Sequence, residues 1–279
     1  MRSLQRTSRK TVPFIVAVLI CIPMFLPFLW MFLSSFKNSA EILHVPQTLF
    51  PKSPTLETYR LLLVDQGFPG FFLNSAIMCV SVTVIILLSS ALAGFVFAKF
   101  HFRGKETIFL IILSTLMVPF AVFVIPLFIF IAQLKWVNTY HGLILPLSVS
   151  AFGIFLMRQF MEDLPDSLFE SAKIDGANEW QMFFRIAMPL SKSAFSALGI
   201  FAFMWAWNFL LWPIVVTSAP ELRTLTLALA AYSLQNIGYG QRYDIMVTGA
   251  ALSVIPVLIV YLIFNKNFVK GLTFTGLKY

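Results

Sequence analysis

The chain has 279 residues, of which 59% are hydrophobic and only 11% charged, and its net charge is +8. Because soluble domains devote about a quarter of their residues to charged side chains, this composition argues against a water-soluble globular protein and favours one that lipid surrounds. The basic residues lie between apolar runs, so they indicate membrane topology rather than nucleic-acid binding.

Six apolar runs lack Asp, Glu, Lys and Arg, and most reach the roughly 20 residues that a spanning helix needs. In chain order they cover residues 12–36, 68–98, 108–134, 142–157, 193–216 and 245–264. Prolines such as Pro119 and Pro126 are tolerated because neighbouring groups satisfy the freed carbonyls. The pattern predicts an all-α, polytopic membrane protein with six transmembrane helices, in a single domain over residues 1–279.

The first run follows four basic residues, Arg2, Arg6, Arg9 and Lys10, so a signal peptide is an alternative. Its apolar part is longer than the roughly 7–15 residues of a signal peptide, and no clear small-x-small cleavage site follows. We interpret it as a retained first span.

The distribution of basic residues predicts the orientation. With six spans, the N-terminus, residues 99–107, residues 158–192 and the C-terminal tail share one side and hold 14 of the 20 Lys and Arg residues. The positive-inside rule then places both termini in the cytoplasm. The uncharged residues 224–241 are an alternative seventh span, but their cluster of Gln, Asn and Gly favours a partly buried outside loop.

The sequence lacks motifs for nucleotide binding and for metal binding. The sequence contains no G-x-x-x-x-G-K-[ST] motif, and its three histidines and two cysteines lack metal-ligand spacing. We therefore expect no catalytic centre, metal or cofactor on this chain. The six runs also lack the ionisable groups that ion-coupled carriers usually hold in the membrane. A stand-alone carrier remains an alternative, but energy from a partner is favoured.

Residues 158–192 form the longest predicted cytoplasmic loop, and the helix-start and helix-stop residues within it predict two short helices. Pro165 suits a first helical position, and Ser167 with Glu170 matches a capping box. Gly176 offers a left-handed helix end, and Asn178 can cap the second helix.

The same loop contains six large apolar residues that are unlikely to face water. They either pack on the cytoplasmic ends of the spans or dock into another protein, and both alternatives stay open. The six are Phe169, Ile174, Trp180, Phe183, Phe184 and Ile186.

Residues 170–177 read Glu-Ser-Ala-Lys-Ile-Asp-Gly-Ala, and Ile186 and Pro189 follow. This pattern resembles the EAA loop of ABC importer permeases, E-A-A-x-x-D-G-A with I-x-x-P about nine residues later. Ser171 replaces the usual Ala and Met188 the usual Leu. The resemblance assigns ATPase coupling to eight residues: Glu170, Ser171, Ala172, Asp175, Gly176, Ala177, Ile186 and Pro189.

Other segments are similar to the carbohydrate, maltose-type permeases. They are Phe-Leu-Asn-Ser at 72–75, Ala-Gly-Phe-Val-Phe-Ala-Lys at 93–99, Trp-Ala-Trp-Asn at 205–208 and Val-Lys-Gly-Leu-Thr at 269–273. Residues 275–279 depart from the Val-Lys-Gly close that is usual in that family.

The resemblance implies a type I ABC importer permease fold with its core over residues 68–268 and the coupling loop at 158–192. It also implies a multi-pass protein of the bacterial inner membrane that is not itself an enzyme. The implied partners are a second homologous permease, an ATPase dimer that binds ATP and Mg²⁺, an extracytoplasmic solute-binding protein and membrane lipid, with no nucleic acid. A non-transport scaffold is a third alternative, against which the EAA pattern argues.

Individual roles stay open at this point. Glu170 either pairs with a basic ATPase residue or caps its own helix, and Gly176 either serves turn geometry, which we favour, or contacts the ATPase directly. Asn208 and Asn74 line the solute path or bond between helices. Trp205 stacks on a sugar ring or packs, as do the neighbouring tryptophans.

Overall fold

The computed structural model describes residues 2–235 and 242–275, with side chains described over 16–232 and 242–264. This part of the chain is almost entirely helical and contains no β-strand. Its α-helices are α1 (Arg2–Ser34), α2 (Ser39–Leu43), α3 (Glu57–Arg60), α4 (Phe68–Lys99), α5 (Lys105–Ser114), α6 (Phe120–Gln133), α7 (Tyr140–Ile144), α8 (Ala151–Glu162), α9 (Asp166–Ile174), α10 (Glu179–Met182), α11 (Met188–Leu190), α12 (Lys192–Asn208), α13 (Leu211–Val216), α14 (Leu225–Gln235) and α15 (Tyr243–Thr275).

Two compact units make up the chain. One consists of Met1–Phe68 and Leu229–Ile255, and the other of Pro69–Ala228 and Pro256–Tyr279. The prediction of a single domain over residues 1–279 stays a prediction.

Three helical segments in the described part are long and apolar enough to cross a membrane: Val16–Ser34, Phe68–Lys99 and Tyr243–Phe264. Three bent pairs meet the same criterion together, so the number rises to six if each pair is one span. The pairs are Lys105–Met117 with Phe120–Gln133, Tyr140–Leu147 with Ala151–Glu162, and Glu179–Leu190 with Lys192–Asn208, bent by 100°, 46° and 78°. Six spans were predicted, and the described part of the chain reaches that number when each bent pair is counted as one span.

The largest bend lies inside the predicted third run, at Pro119. A proline pushes the residue before it out of the helical region, and Val118 is extended with φ −94° and ψ 117°. Pro126 lies inside α6 without ending it. The prediction that both prolines are tolerated therefore holds for Pro126, whereas Pro119 breaks the helix.

The predicted fifth run, 193–216, is also interrupted, since α12 ends at Asn208 and α13 begins at Leu211. Pro213 accounts for the position of this break, because a proline ring clashes with the carbonyl four residues earlier, here that of Phe209. Phe209 is extended, with φ −77° and ψ 116°.

The helices reach beyond the apolar runs and include charged residues at the ends. Asp244 lies in the first turn of α15 and Arg158 in α8. Asp244 is only 3% exposed and Arg158 7%. Both are ion-paired, which offsets part of the cost of burying a charge.

Within the first unit, Asp244 connects the segment after α1 to the start of α15. Its carboxylate accepts hydrogen bonds from the hydroxyl of Ser39, from Thr58 Oγ1 at 3.0 Å and from Arg242 Nη2 at 2.7 Å. A turn further along, Thr248 Oγ1 donates to the Ser35 carbonyl at 3.0 Å. The carboxylate raises the pKa of Arg242 above its ordinary value.

Within the second unit, α8 packs closely against α4. A Cβ added to Gly94 would lie 2.6 Å from Met157 Cβ and 2.8 Å from the Arg158 nitrogen. One added to Gly153 would collide with the hydroxyl of Ser90. Small residues permit such close approach between membrane helices, whose association depends on packing.

The uncharged segment 224–241 contains α14, which comprises 11 of the described residues. Leu225 and Ala228 are buried, as expected for a partly buried segment, and the position of this segment outside the membrane stays a prediction. Residues 236–241 and 276–279 lie outside the described residues, so most of the Gln-Asn-Gly cluster and the departing C-terminus do too.

Replacing Gly94 by Ala should destabilise the second unit by about 1–3 kcal/mol, since the new methyl group meets backbone as well as side chain. Gly70→Ala is the matched control, because it lies in the same helix and its added Cβ meets nothing within 4 Å. Thermal unfolding of the purified chain in detergent would measure the stability of both variants. Equal melting temperatures for the two variants would contradict the close packing described above.

Candidate functional site

The first helix of the coupling loop (residues 158–192) ends in a Schellman motif. The Ala177 N–H donates to the Ala172 carbonyl at 2.9 Å, and the Gly176 N–H donates to the Lys173 carbonyl at 3.0 Å. Gly176 has φ +81°, the left-handed conformation that glycine adopts at little cost. The Ala and Gly residues of the EAA pattern therefore coincide with this helix end.

The second helix begins at a capping box, although the predicted box at Ser167 is wrong. Asn178 Oδ1 accepts from the Gln181 N–H and Gln181 Oε1 from the Asn178 N–H, both at 2.9 Å. Ser167 instead lies inside α9, because Pro165 precedes the first helical residue rather than occupying that position. Glu170 is exposed and makes no capping hydrogen bond.

The six apolar side chains of the loop divide between the two alternatives. Phe169 and Phe183 are buried, at 6% and 1% exposure, whereas Ile174 and Trp180 are 86% and 61% exposed. Phe184 is half exposed, and its ring stacks on that of Trp180 with centroids 6.1 Å apart. Ile186 is intermediate.

The ring of Phe95 in α4 contacts both buried phenylalanine side chains of the loop. Its ring centroid lies 5.9 Å from that of Phe169 and 5.4 Å from that of Phe183, one contact for each half of the loop. Such tilted aromatic pairs add about 0.5–1.5 kcal/mol beyond area burial. The loop is therefore packed onto the end of α4 while its opposite surface stays open.

An ion pair fixes the start of α9 to the end of α4. Lys99 Nζ donates to Asp166 Oδ1 and to the Leu164 carbonyl, both at 2.6 Å. The hydrogen bond from Lys99 lowers the pKa of the Asp166 carboxyl. Since a lowered pKa stabilises the charged form, the pair persists throughout the neutral range and is lost only as the pH falls through this lowered value.

A second ion pair joins α5 to α8. Arg158 donates to Glu106 through both terminal nitrogens, with Nη2 to Oε1 at 2.9 Å and Nη1 to Oε2 at 3.2 Å. Its guanidinium carbon lies 4.0 Å from the centroid of the Phe109 ring. A planar, bidentate arginine of this kind holds two helices in one orientation.

The residues predicted for coupling lie together on α9–α11 and differ in exposure. Ser171, Asp175, Gly176 and Pro189 are exposed, and Ala172 and Ala177 are intermediate. Asp175 is the C-terminal cap of α9. Five exposed residues of the loop are together called the docking surface below: Glu170, Ile174, Gly176, Trp180 and Phe184.

Of the three residues predicted for the solute path, Trp205 and Asn208 lie one turn apart in α12, whereas Asn74 lies in α4. Asn74 is 5% exposed and fully bonded, since Nδ2 donates to the carbonyls of Glu221 and Arg223 and Oδ1 accepts from the Tyr140 hydroxyl at 2.6 Å. Asn208 donates to Met204 of its own helix at 2.8 Å.

Trp205 is the member of that set that lines a cavity. The cavity has a volume of about 680 Å³ and lies at the breaks of two bent pairs, beside Pro119 and Ser150. Trp205 is 42% exposed, and its ring stacks on Phe209 with centroids 4.7 Å apart. Trp207 and Trp212 are buried, at 4% and 0% exposure, and therefore pack.

Sequence reasoning did not assign the two ion pairs to the site. Lys99 ends the segment 93–99 that resembles the carbohydrate permeases, and within it Gly94 and Phe95 also contact the helices named above. The presence of Gly94, Phe95 and Lys99 in one segment that resembles the carbohydrate permeases was the signal that could have pointed to Lys99. The Arg158–Glu106 pair could not be found, because 52 residues separate its partners.

Comparisons with known proteins agree with this geometry. Residues 90–274 match the family described as "binding-protein-dependent transport system inner membrane component". The chain is 34% identical over 255 residues to the arabinooligosaccharides transport system permease protein AraQ of Halalkalibacterium halodurans, which covers 90% of each chain. It is 32% identical over 272 residues, 98% of each chain, to the lactose transport system permease protein LacG of Rhizobium radiobacter.

A solved structure confirms the fold. A chain of a bacterial ABC transporter involved in the import of the acidic polysaccharide alginate superposes with a TM-score of 0.80 at 24% identity, over 94% of this chain and 98% of the other. The predicted ABC importer permease fold is confirmed, and the relatives are permeases rather than enzymes. This chain belongs to the family of inner membrane components of binding-protein-dependent transport systems.

Proposed function

We propose that this chain pairs with a second homologous permease to form the path of a carbohydrate-type solute, and that its docking surface receives the movement of a cytoplasmic ATPase dimer. The observation that supports this most is the exposure of Ile174 and Trp180 on a loop that is otherwise packed against α4. Exposed apolar side chains clustered on one surface mark sites of protein interaction, and aromatic residues dominate the energy of such interfaces.

The charge distribution supports a cytoplasmic position for this surface. The segments on the side of the coupling loop hold 14 of the 20 Lys and Arg residues, so both termini and the loop face the cytoplasm. ATP and Mg²⁺ bind to the ATPase partners. Because Glu170 makes no capping bond, its exposed carboxylate favours pairing with a basic residue of the ATPase.

The cavity beside Trp205 supports a contribution to the solute path. Its volume of about 680 Å³ falls within the range of small-molecule sites, and broken helices at membrane depth form the substrate sites of many transporters. An exposed indole face can stack on a sugar ring. The relatives are named for arabinooligosaccharides and lactose, which favours a carbohydrate delivered by an extracytoplasmic binding protein.

Purification of the chain from its native membrane should recover an ATPase and a second permease, and Gly176 variants test the role of the helix end. Gly176→Val should weaken the recovery of the ATPase roughly tenfold, because a β-branched residue costs about 1–2 kcal/mol in the left-handed conformation. Gly176→Asn tolerates that conformation and should retain the ATPase.

Quantitative mass spectrometry of the co-purified subunits would distinguish the outcomes. Equal loss of the co-purified ATPase in both variants would show that Gly176 contacts the partner directly. Equal retention would mean that the helix end is not needed for docking.

Trp205→Ala should lower uptake of the transported sugar roughly tenfold, since truncating an aromatic contact residue commonly costs at least about 1–2 kcal/mol. The ATPase should still co-purify, because Trp205 lies outside the coupling loop. Met204→Ala is the control, as this neighbour is similarly exposed, at 39%, and does not line the cavity. Proteoliposome uptake of labelled lactose and arabinotriose would measure both, and unchanged uptake in Trp205→Ala would remove Trp205 from the path.

A further inference from the structure

We propose that Lys99 is the positioning residue through which movement of the coupling loop reaches α4. The inference rests on the proposed function, because it takes an ATPase as the source of that movement. Lys99 is the last residue of α4, and its side chain is 7% exposed although its partner Asp166 is 79% exposed.

The ammonium group of Lys99 contacts the loop at three points. It donates to the Leu164 carbonyl before α9 and to the Asp166 carboxylate in the first turn of α9, both at 2.6 Å. It also lies 5.1 Å from the centroid of the Phe169 ring, one turn further along. A single side chain thus spans the connection into α9 and the first turn of that helix.

These contacts differ in kind from the aromatic packing beside them. The rings of Phe95 and Phe169 are held by apolar contact in a tilted arrangement, which is less directional than a hydrogen bond and tolerates a range of offsets. Charge-assisted hydrogen bonds are short and directional, and a buried ammonium that lost its partners would be strongly disfavoured. A displacement of α9 therefore carries the end of α4 with it as long as Lys99 is present.

The Arg158–Glu106 pair has a different role. It connects α5 to α8, and the second ion pair of Arg158, with Glu162, lies within α8. It therefore fixes helices of the membrane domain to each other. Lys99 instead joins the end of α4 to the start of α9.

The test measures movement at the cavity without requiring a known solute. A cysteine replaces Val149, which is 76% exposed and lines the cavity, in a chain whose Cys21 and Cys79 are replaced by serine and alanine. The complete complex, with its ATPase, is treated with N-ethylmaleimide in the absence of nucleotide and with ATP plus vanadate. In this background nucleotide should change the labelling rate about fivefold or more.

Lys99→Met should abolish this nucleotide-dependent change while the ATPase co-purifies in wild-type amount, because Phe95 still holds the loop. Lys99→Arg should retain the change, since a guanidinium can donate to the same acceptors. Arg103→Met is the control: it removes the same charge from the neighbouring connection at an exposed site. Asp166→Asn, in an exposed side chain, should reduce the change in part and add nothing to the effect of Lys99→Met.

Two results would overturn the proposal. One is a nucleotide-dependent change in Lys99→Met equal to that of Arg103→Met. The other is loss of the ATPase itself from the Lys99→Met complex, which would mean that Lys99 only maintains the docking surface. If Lys99→Met fails to fold, an unchanged nucleotide-dependent labelling rate in Asp166→Asn would overturn the proposal equally. A parental complex that contains no ATPase would instead refute the proposed function, and this inference with it.

Discussion

The close approach of α8 to α4 is the constraint on which the rest of the second unit depends. Gly94 leaves no room for a side chain between the backbone of α4 and that of Met157–Arg158. Since α8 runs directly into the coupling loop, this contact fixes where the loop begins relative to the end of α4. Phe95 and Lys99, one and five residues further along α4, are thereby placed to hold the loop by packing and by hydrogen bonds. Loss of the close approach would separate both sets of contacts together.

The loop combines two requirements that usually conflict. It must stay folded, which calls for buried apolar side chains, and in the proposed function it must also present apolar side chains to a partner. The structure satisfies both by placing Phe169 and Phe183 on one side and Ile174 and Trp180 on the other. The turn at Gly176 separates α9 from α10 and so permits this division. Both interpretations of the apolar residues therefore apply, each to different members of the set.

The sequence was sufficient for the number and position of the apolar segments, because the bilayer imposes a length that composition reveals directly. It also located the helix end at Gly176 and the cap at Asn178, since both depend on local backbone chemistry. The bend at Pro119 and the helix break at Phe209 were missed, because proline signals a break only when neighbours do not compensate for it. The segment 93–99 offered a signal for Lys99 itself, but its pairing with Asp166, like that of Arg158 with Glu106, could not be predicted, because the packing of separate helices brings the partners together.

The central claim, that the exposed side of the coupling loop docks on an ATPase, can be tested at its most exposed apolar side chain. A photoreactive amino acid would replace Ile174, which is 86% exposed, and the native membranes would be irradiated before purification. Mass spectrometry would then identify whatever is covalently attached. The account predicts an adduct with a subunit that contains the G-x-x-x-x-G-K-[ST] motif of an ATPase. A chain that is recovered without any cross-linked ATPase, or cross-linked only to lipid, would contradict it.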